Sequence, residues 1–361
     1  MNCSPPDCDV QAASGVQKKP VECPFFCLLV EQPHEECEFE CFLWATVTMV
    51  ISGIALLVNG YALFKFHRLQ SMKNSHGRLS VVRSAADLIL LIILGVWCGG
   101  LSVLAERQAE WTADANVMLM AVFHYAHFTS INGQFVIVIE RHVAICYPFA
   151  FARIFRRRLT LAYVLGIVVV SLSEVTLIPL LTDCVLTYRP TDLNIAAECR
   201  VANELECRRA NAHLWLLEGV FSGIPLVLAV SFDVLSFVSL RERNNNHLAE
   251  SRPTERQRDF RRAREHSLFV QSLLGTLVIV LQLALFGFTL LSNFGPTRNF
   301  WASIVWFVLV HSSNAVTQLV YNEEFRRELR LSSSSLRAQP PKERLDQRRM
   351  ALTGDNNFIR L

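Results

Sequence analysis

Seven stretches of this chain stay apolar for the length of a bilayer crossing, near 41–65, 80–104, 115–144, 159–182, 213–240, 267–292 and 299–321, with charged segments between them. A hydrocarbon core about 30 Å thick is spanned by roughly 20 residues of helix. Lipid offers no partner to a backbone N–H or C=O, so runs of this kind are expected as helices. The predicted fold class is an all-α membrane protein, a seven-transmembrane helix bundle. Glu174 interrupts the fourth run, and Glu218 and Asp233 the fifth.

Composition agrees, since 52% of the 361 residues are hydrophobic and only 19% charged. The net charge of +3 hides a dipole. With the N-terminus outside, the inner side receives Arg68, Lys73 and Arg78, then Arg153, Arg156, Arg157 and Arg158, then eight arginines from Arg241 to Arg264, and the basic tail beyond Phe325. The segment 1–40 carries Lys18 and Lys19 against eight acidic residues. Loops rich in Lys and Arg stay cytoplasmic, so the expectation is a multi-pass plasma-membrane protein with an extracellular N-terminus. The arginine-rich loop is flanked by spans and holds Phe260 as its one aromatic. It therefore reads as topology and contact with anionic membrane lipid, and no nucleic-acid partner is expected.

Of eleven cysteines, nine (Cys3, Cys8, Cys23, Cys27, Cys37, Cys98, Cys184, Cys199 and Cys207) fall outside or at an outer helix end, Cys41 lies at the first boundary, and Cys146 falls inside. This clustering suggests disulfides in an oxidising compartment, with pairings left open. Zinc is the competing reading, but no CxxC has a matching second pair. The segment 1–40 lacks an apolar signal-peptide core, so the first span is expected to direct insertion. Asn2 opens an N-C-S sequon, a candidate glycosylation site.

Polar residues inside spans are costly and mark candidate chemistry. Asn59, Asp87 and Asn314 lie at similar depth in the first, second and seventh spans. They form either a structural hydrogen-bond cluster or a polar switch able to hold a sodium ion near Asp87, the one candidate cofactor. Glu140 and Arg141 end the third span as an adjacent opposite pair, with Glu265 at the inner end of the sixth span as a second partner for Arg141. The bland alternative is an interfacial anchor. In the outer half of the third span, Met120, Phe123, His124 and His127 share one face. Phe123 precedes Arg141 by 18 residues, five turns at about 3.6 residues each. That face is a candidate ligand pocket, weighed against ordinary core packing. Glu174 and Glu218 are added to it, as binders of a cationic ligand group or as protonated, hydrogen-bonded structural residues. There is no H-E-x-x-H, G-x-S-x-G or phosphate-cradling loop, so no enzyme is expected.

These residues resemble the rhodopsin-like G-protein-coupled receptors over the whole membrane region. The carriers are Asn59 in L-V-N-G, Asp87 in S-A-A-D-L-I-L-L, E-R-H-V-A-I-C-Y-P-F from Glu140, Pro225, and N-A-V-T-Q-L-V-Y-N-E-E-F-R-R-E-L from Asn314. The resemblance implies that Arg141 couples to a heterotrimeric G protein, that Glu140 is its resting partner, that Asp87 is the sodium-site acid, and that 322–331 forms a short amphipathic helix; the basic, polar, Ser-rich composition of the tail 332–361 predicts disorder. Departures are also present. Asn116 stands where the family has a cysteine bonded to the second outer loop, the sixth span lacks the tryptophan and proline of the family's switch, Ala315 and Gln318 replace proline and tyrosine, and Asp233 replaces a tyrosine. With S-H-G-R-L-S-V-V-R-S around Arg83, the chain looks similar to nematode chemosensory serpentine receptors of class X. Phe123 stands where amine receptors place an aspartate, which argues against a biogenic amine and leaves an external small molecule or peptide as the ligand. The rival readings are a receptor-like partner or decoy that does not signal, and a transporter or channel. Against the latter, the halves show no self-similarity and no filter-like loop or ring of charge occurs.

Overall fold

The computed structural model describes residues 34–68, 74–100, 111–189, 194–199, 204–246, 255–291 and 304–321. Asn2, Cys3, Cys8, Cys23, Cys27, the expected amphipathic helix 322–331 and the tail 332–361 lie outside the described residues, as do the side chains of Cys37, Cys41 and Glu265.

Seven long helices carry the seven apolar runs: α1 (His34–Arg68), α2 (Ser75–Ile92), α3 (Trp111–Cys146), α5 (Arg157–Thr182), α6 (Glu204–Asn246), α7 (Glu255–Leu291) and α8 (Trp306–Tyr321), with a short α4 (Pro148–Ile154) between α3 and α5. Each boundary has a local cause. Asn74 caps α2, its side-chain oxygen accepting from the Gly77 N–H at 2.9 Å. Pro148 opens α4, where a missing N–H costs nothing. Asp183, with φ of 53°, turns the chain out of α5 in the left-handed conformation that Asp tolerates better than most residues. Beyond Ile92, α2 widens into a π-helical turn over Ile93–Cys98. Gly95 faces α1 there, where an added Cβ would lie 2.7 Å from Ser52 Cβ, so only glycine permits the approach.

The packing inverts that of a soluble domain. Leu57, Val96, Leu165, Leu180 and Val227 are exposed, while Asn59, Ser84, Asp87 and Ser222 are fully buried. A lipid-facing leucine costs nothing, whereas polar groups must find one another inside. Among the described residues, α1, α2 with its extension, α5 and α6 are apolar and long enough to cross by composition alone. α3 is the central pillar, packing on α2, α5, α6 and α7. It can hold His124, His127, Asn132, Gln134 and Arg141 because its neighbours bury all five. α8 closes the ring against α1, α2 and α7.

One element has no counterpart in the helical expectation. β1 (Cys184–Arg189) and β2 (Asn194–Cys199) form an antiparallel hairpin, Cys184 paired with Cys199 and Leu186 with Ala197. A Cys184–Cys199 disulfide closes it. Cys184, Leu186 and Tyr188 turn inward over the end of the bundle opposite Arg141. Cys207 is also disulfide-bonded, whereas Cys98, grouped with the outer cysteines by sequence, is a buried thiol.

Candidate functional site

Buried polar residues form a column along α3, in four layers from the hairpin to Arg141. In the first layer, Met120, Phe123 and His124 of α3 lie beneath β1. His124 Nε2 is 3.0 Å from Glu218 Oε1 on α6. The other oxygen of Glu218 has no hydrogen-bond partner among the described residues. A cleft of about 50 Å³ opens beside His124, walled by apolar side chains such as Val117, Met120, Ile178, Pro179, Leu186 and Leu214. Glu174 is placed elsewhere: its Oε2 accepts from Asn132 Nδ2 at 2.9 Å, which ties α5 to α3.

Asn116 explains how the hairpin is held without the cysteine that the family places there. Its Nδ2 donates to the Tyr188 carbonyl at 2.9 Å and its Oδ1 accepts the Tyr188 N–H at 3.3 Å. The side-chain amide thus pairs with β1 as a third strand would, and Trp97 Nε1 donates to the same oxygen at 3.3 Å.

The second layer centres on Asp87. Ser130 donates to its Oδ1 at 2.6 Å, His311 Nδ1 lies 2.7 Å from that oxygen, and Asn314 Nδ2 donates to Oδ2 at 3.3 Å. Asn59 is not part of this cluster, since its Nδ2 donates to the Ala55 carbonyl of its own helix. His127 meets His311 edge to face, centroids 5.7 Å apart. Neither His127 Nδ1 nor His311 Nε2 has a partner among the described residues. The residues present do not fit a sodium ion at Asp87. A hard cation takes oxygen ligands, and here an imidazole occupies one carboxylate oxygen while an amide N–H₂ faces the other.

The third layer joins Arg83 of α2 to Gln134 of α3, Ser272 and Thr276 of α7, and Asp233 of α6. None of these five was singled out as a site residue by the sequence reading, although Arg83 and Asp233 were noticed. The fourth layer is the Glu140–Arg141 pair. Glu140 accepts from Ser75 Oγ and sits 3.1 Å from His76 Nδ1, both in the first turn of α2. Arg141 points one nitrogen at His76 Nε2, 3.3 Å away, and its Nε and other terminal nitrogen lack partners among the described residues. Glu265 lies on α7, but its side chain is outside the described residues.

A seven-helix bundle with a roofed cleft at one end, an Arg at the other and a buried polar column between them has the architecture of a signalling receptor. Its family is shown by sequence: the model of the serpentine-type seven-transmembrane G-protein-coupled chemoreceptors named Srx matches residues 49–322, and the protein belongs to that family. The fold is similar to the crystal structure of squid rhodopsin, with a TM-score of 0.65 and 15% sequence identity over 89% of this chain and 92% of that one. No protein of curated function matches.

Proposed function

We propose that this chemoreceptor-type receptor sits in the plasma membrane with its hairpin outside and converts the binding of a small external chemical into nucleotide exchange on a heterotrimeric G protein. The supporting observation is the column itself, whose buried polar side chains run from the His124–Glu218 pair to Arg141 without leaving the bundle interior. The cleft beside His124 is narrow and almost wholly apolar. It suits a small, mostly apolar ligand with one hydrogen-bonding group for His124 better than a peptide. The basic loops around Arg153–Arg158 and Arg241–Arg264 support a cytoplasmic position for Arg141, since loops rich in Lys and Arg stay on that side.

Arg141→Ala is the direct test. In cells carrying a panel of G-protein chimeras, basal and ligand-driven exchange should vanish while surface density, read by antibody, stays at the wild-type level. Unchanged exchange would remove Arg141 from coupling. No exchange in the wild type with any chimera or ligand would favour a receptor-like partner that does not signal alone.

A further inference from the structure

The third layer lies where nothing in the receptor reading requires polarity, yet its side-chain hydrogen bonds join four helices. A guanidinium can only donate, so the Gln134 atom facing Arg83 is the carbonyl Oε1 and the amide N–H₂ faces α7. Both of its N–H groups are used there, at 3.3 Å to the Ser272 carbonyl and 3.1 Å to Thr276 Oγ1. The Thr276 hydroxyl, accepting from Gln134, donates onward to Asp233 Oδ2 at 2.8 Å, with the Ser272 carbonyl at 3.1 Å as an alternative acceptor. One cation on α2 and one carboxylate on α6 are thus joined through an amide on α3 and a hydroxyl on α7. Gly275 makes room for the junction, since a Cβ there would lie 3.1 Å from Gln134 Nε2 and 3.5 Å from an Arg83 terminal nitrogen.

The chain also borders the second layer, since Arg83 lies one helical turn before Asp87 on α2. We propose that Arg83–Gln134–Thr276–Asp233 is the restraint that holds α6 and α7 against α3 in the resting receptor. This rests on the reading of Arg141 as the coupling residue.

Geometry makes the restraint all-or-none. Thr276 is the only link in the chain that is carried by α7 through a side chain, and it serves two neighbours at once. A displacement of α7 by the length of one hydrogen bond separates it from Gln134 and Asp233 together. A carboxylate and an amide are then left buried and under-bonded, where water does not replace the lost partner.

The test uses the full-length receptor in cells, with basal exchange normalised to surface density. Thr276→Val keeps the shape and removes the hydroxyl. Basal exchange should rise about fivefold, the equivalent of one net hydrogen bond, and Thr276→Ser should return it to the wild-type level. Asp233→Asn keeps the shape but replaces the charged acceptor of the Thr276 hydroxyl by a neutral one, and it should raise basal exchange independently. Ser231→Ala, which removes a lipid-facing hydroxyl bonded to its own helix, should change nothing. The gain in Thr276→Val should disappear when Arg141→Ala is added. If it persists, the coupling role of Arg141 fails while the restraint stands. If Thr276→Val and Asp233→Asn both reach the surface and leave basal exchange at the wild-type level, zero included, or lower it, the restraint is overturned. Should either variant not reach the surface, the other decides by the same criterion, and loss of both with Thr276→Ser intact assigns the chain to folding and overturns the switch.

Discussion

His76 shows how much the Arg141 end depends on a side chain of ordinary appearance. Arg141 can only donate, so the imidazole nitrogen facing it, Nε2, acts with its lone pair, and Nδ1 carries the proton to Glu140. One ring therefore bridges the two charged residues, which do not need to pair with each other. Replacing His76 by Ala leaves Glu140 with Ser75 alone and removes the only acceptor that Arg141 has among the described residues. Hydrogen bonds to charged groups are worth ~1.5–3 kcal/mol, so basal exchange should rise by about tenfold or more at matched surface density, with His76→Gln restoring part of the restraint. Exchange at the wild-type level in both variants would show that the bridge has no part in holding Arg141. His76 was not legible as a site residue because its partner is 64 positions away in sequence. Gln134 was. Met120, His127, Gln134 and Arg141 recur every seven residues on α3, so the face read as pocket and coupling site passes through Gln134 on the way.

At the scale of elements, the helices were legible because lipid imposes one demand, that twenty or so consecutive residues satisfy their backbone internally. The hairpin was not, since six residues such as Cys184–Arg189 alternate too briefly to stand out beside long apolar runs. Its anchor was visible only as a missing cysteine. Asn116 replaces a covalent tie with a pair of hydrogen bonds to one residue, Tyr188, while the Cys184–Cys199 bond closes the hairpin on itself. The two devices are therefore separable. Asn116→Ala should speed hydrogen exchange at the amides of Val185–Tyr188 by about tenfold or more, as two net bonds of about 1 kcal/mol each are lost. Amides at Ile137–Arg141 should be unaffected. Replacing both hairpin cysteines by Ser should fray the Cys184 end and leave Tyr188 protected. Equal loosening along β1 in the two variants would mean that Asn116 contributes nothing local.

For the whole molecule, the same helices present two contrasting surfaces, an aliphatic exterior such as Leu57, Leu165 and Leu180 and a polar interior around Asp87 and Arg141. Neither surface says which way the bundle faces, because both would look alike from either side of the membrane. That choice belongs to the charges at the ends. Arg156, Arg157 and Arg158 stand at the start of α5, next to Arg153 on α4, and Glu35, Glu36, Glu38 and Glu40 stand at the start of α1, the opposite end of that helix from Arg68. Lys and Arg near span ends resist translocation, and anionic lipid at the cytoplasmic face adds about 1 kcal/mol for each one held near the surface. An N-terminal epitope should then be stained on intact cells and a C-terminal epitope only after permeabilisation. Replacing Arg153, Arg156, Arg157 and Arg158 together by Gln removes one basic cluster but leaves the eight arginines of 241–264. The second cluster should keep most molecules correctly oriented, so the C-terminal epitope should stay largely hidden. Adding substitutions at Arg256, Arg258, Arg261 and Arg262 should expose it on an appreciable fraction of intact cells. A C-terminal epitope already stained on intact wild-type cells would reverse the bundle, put Arg141 outside, and end the G-protein reading along with it.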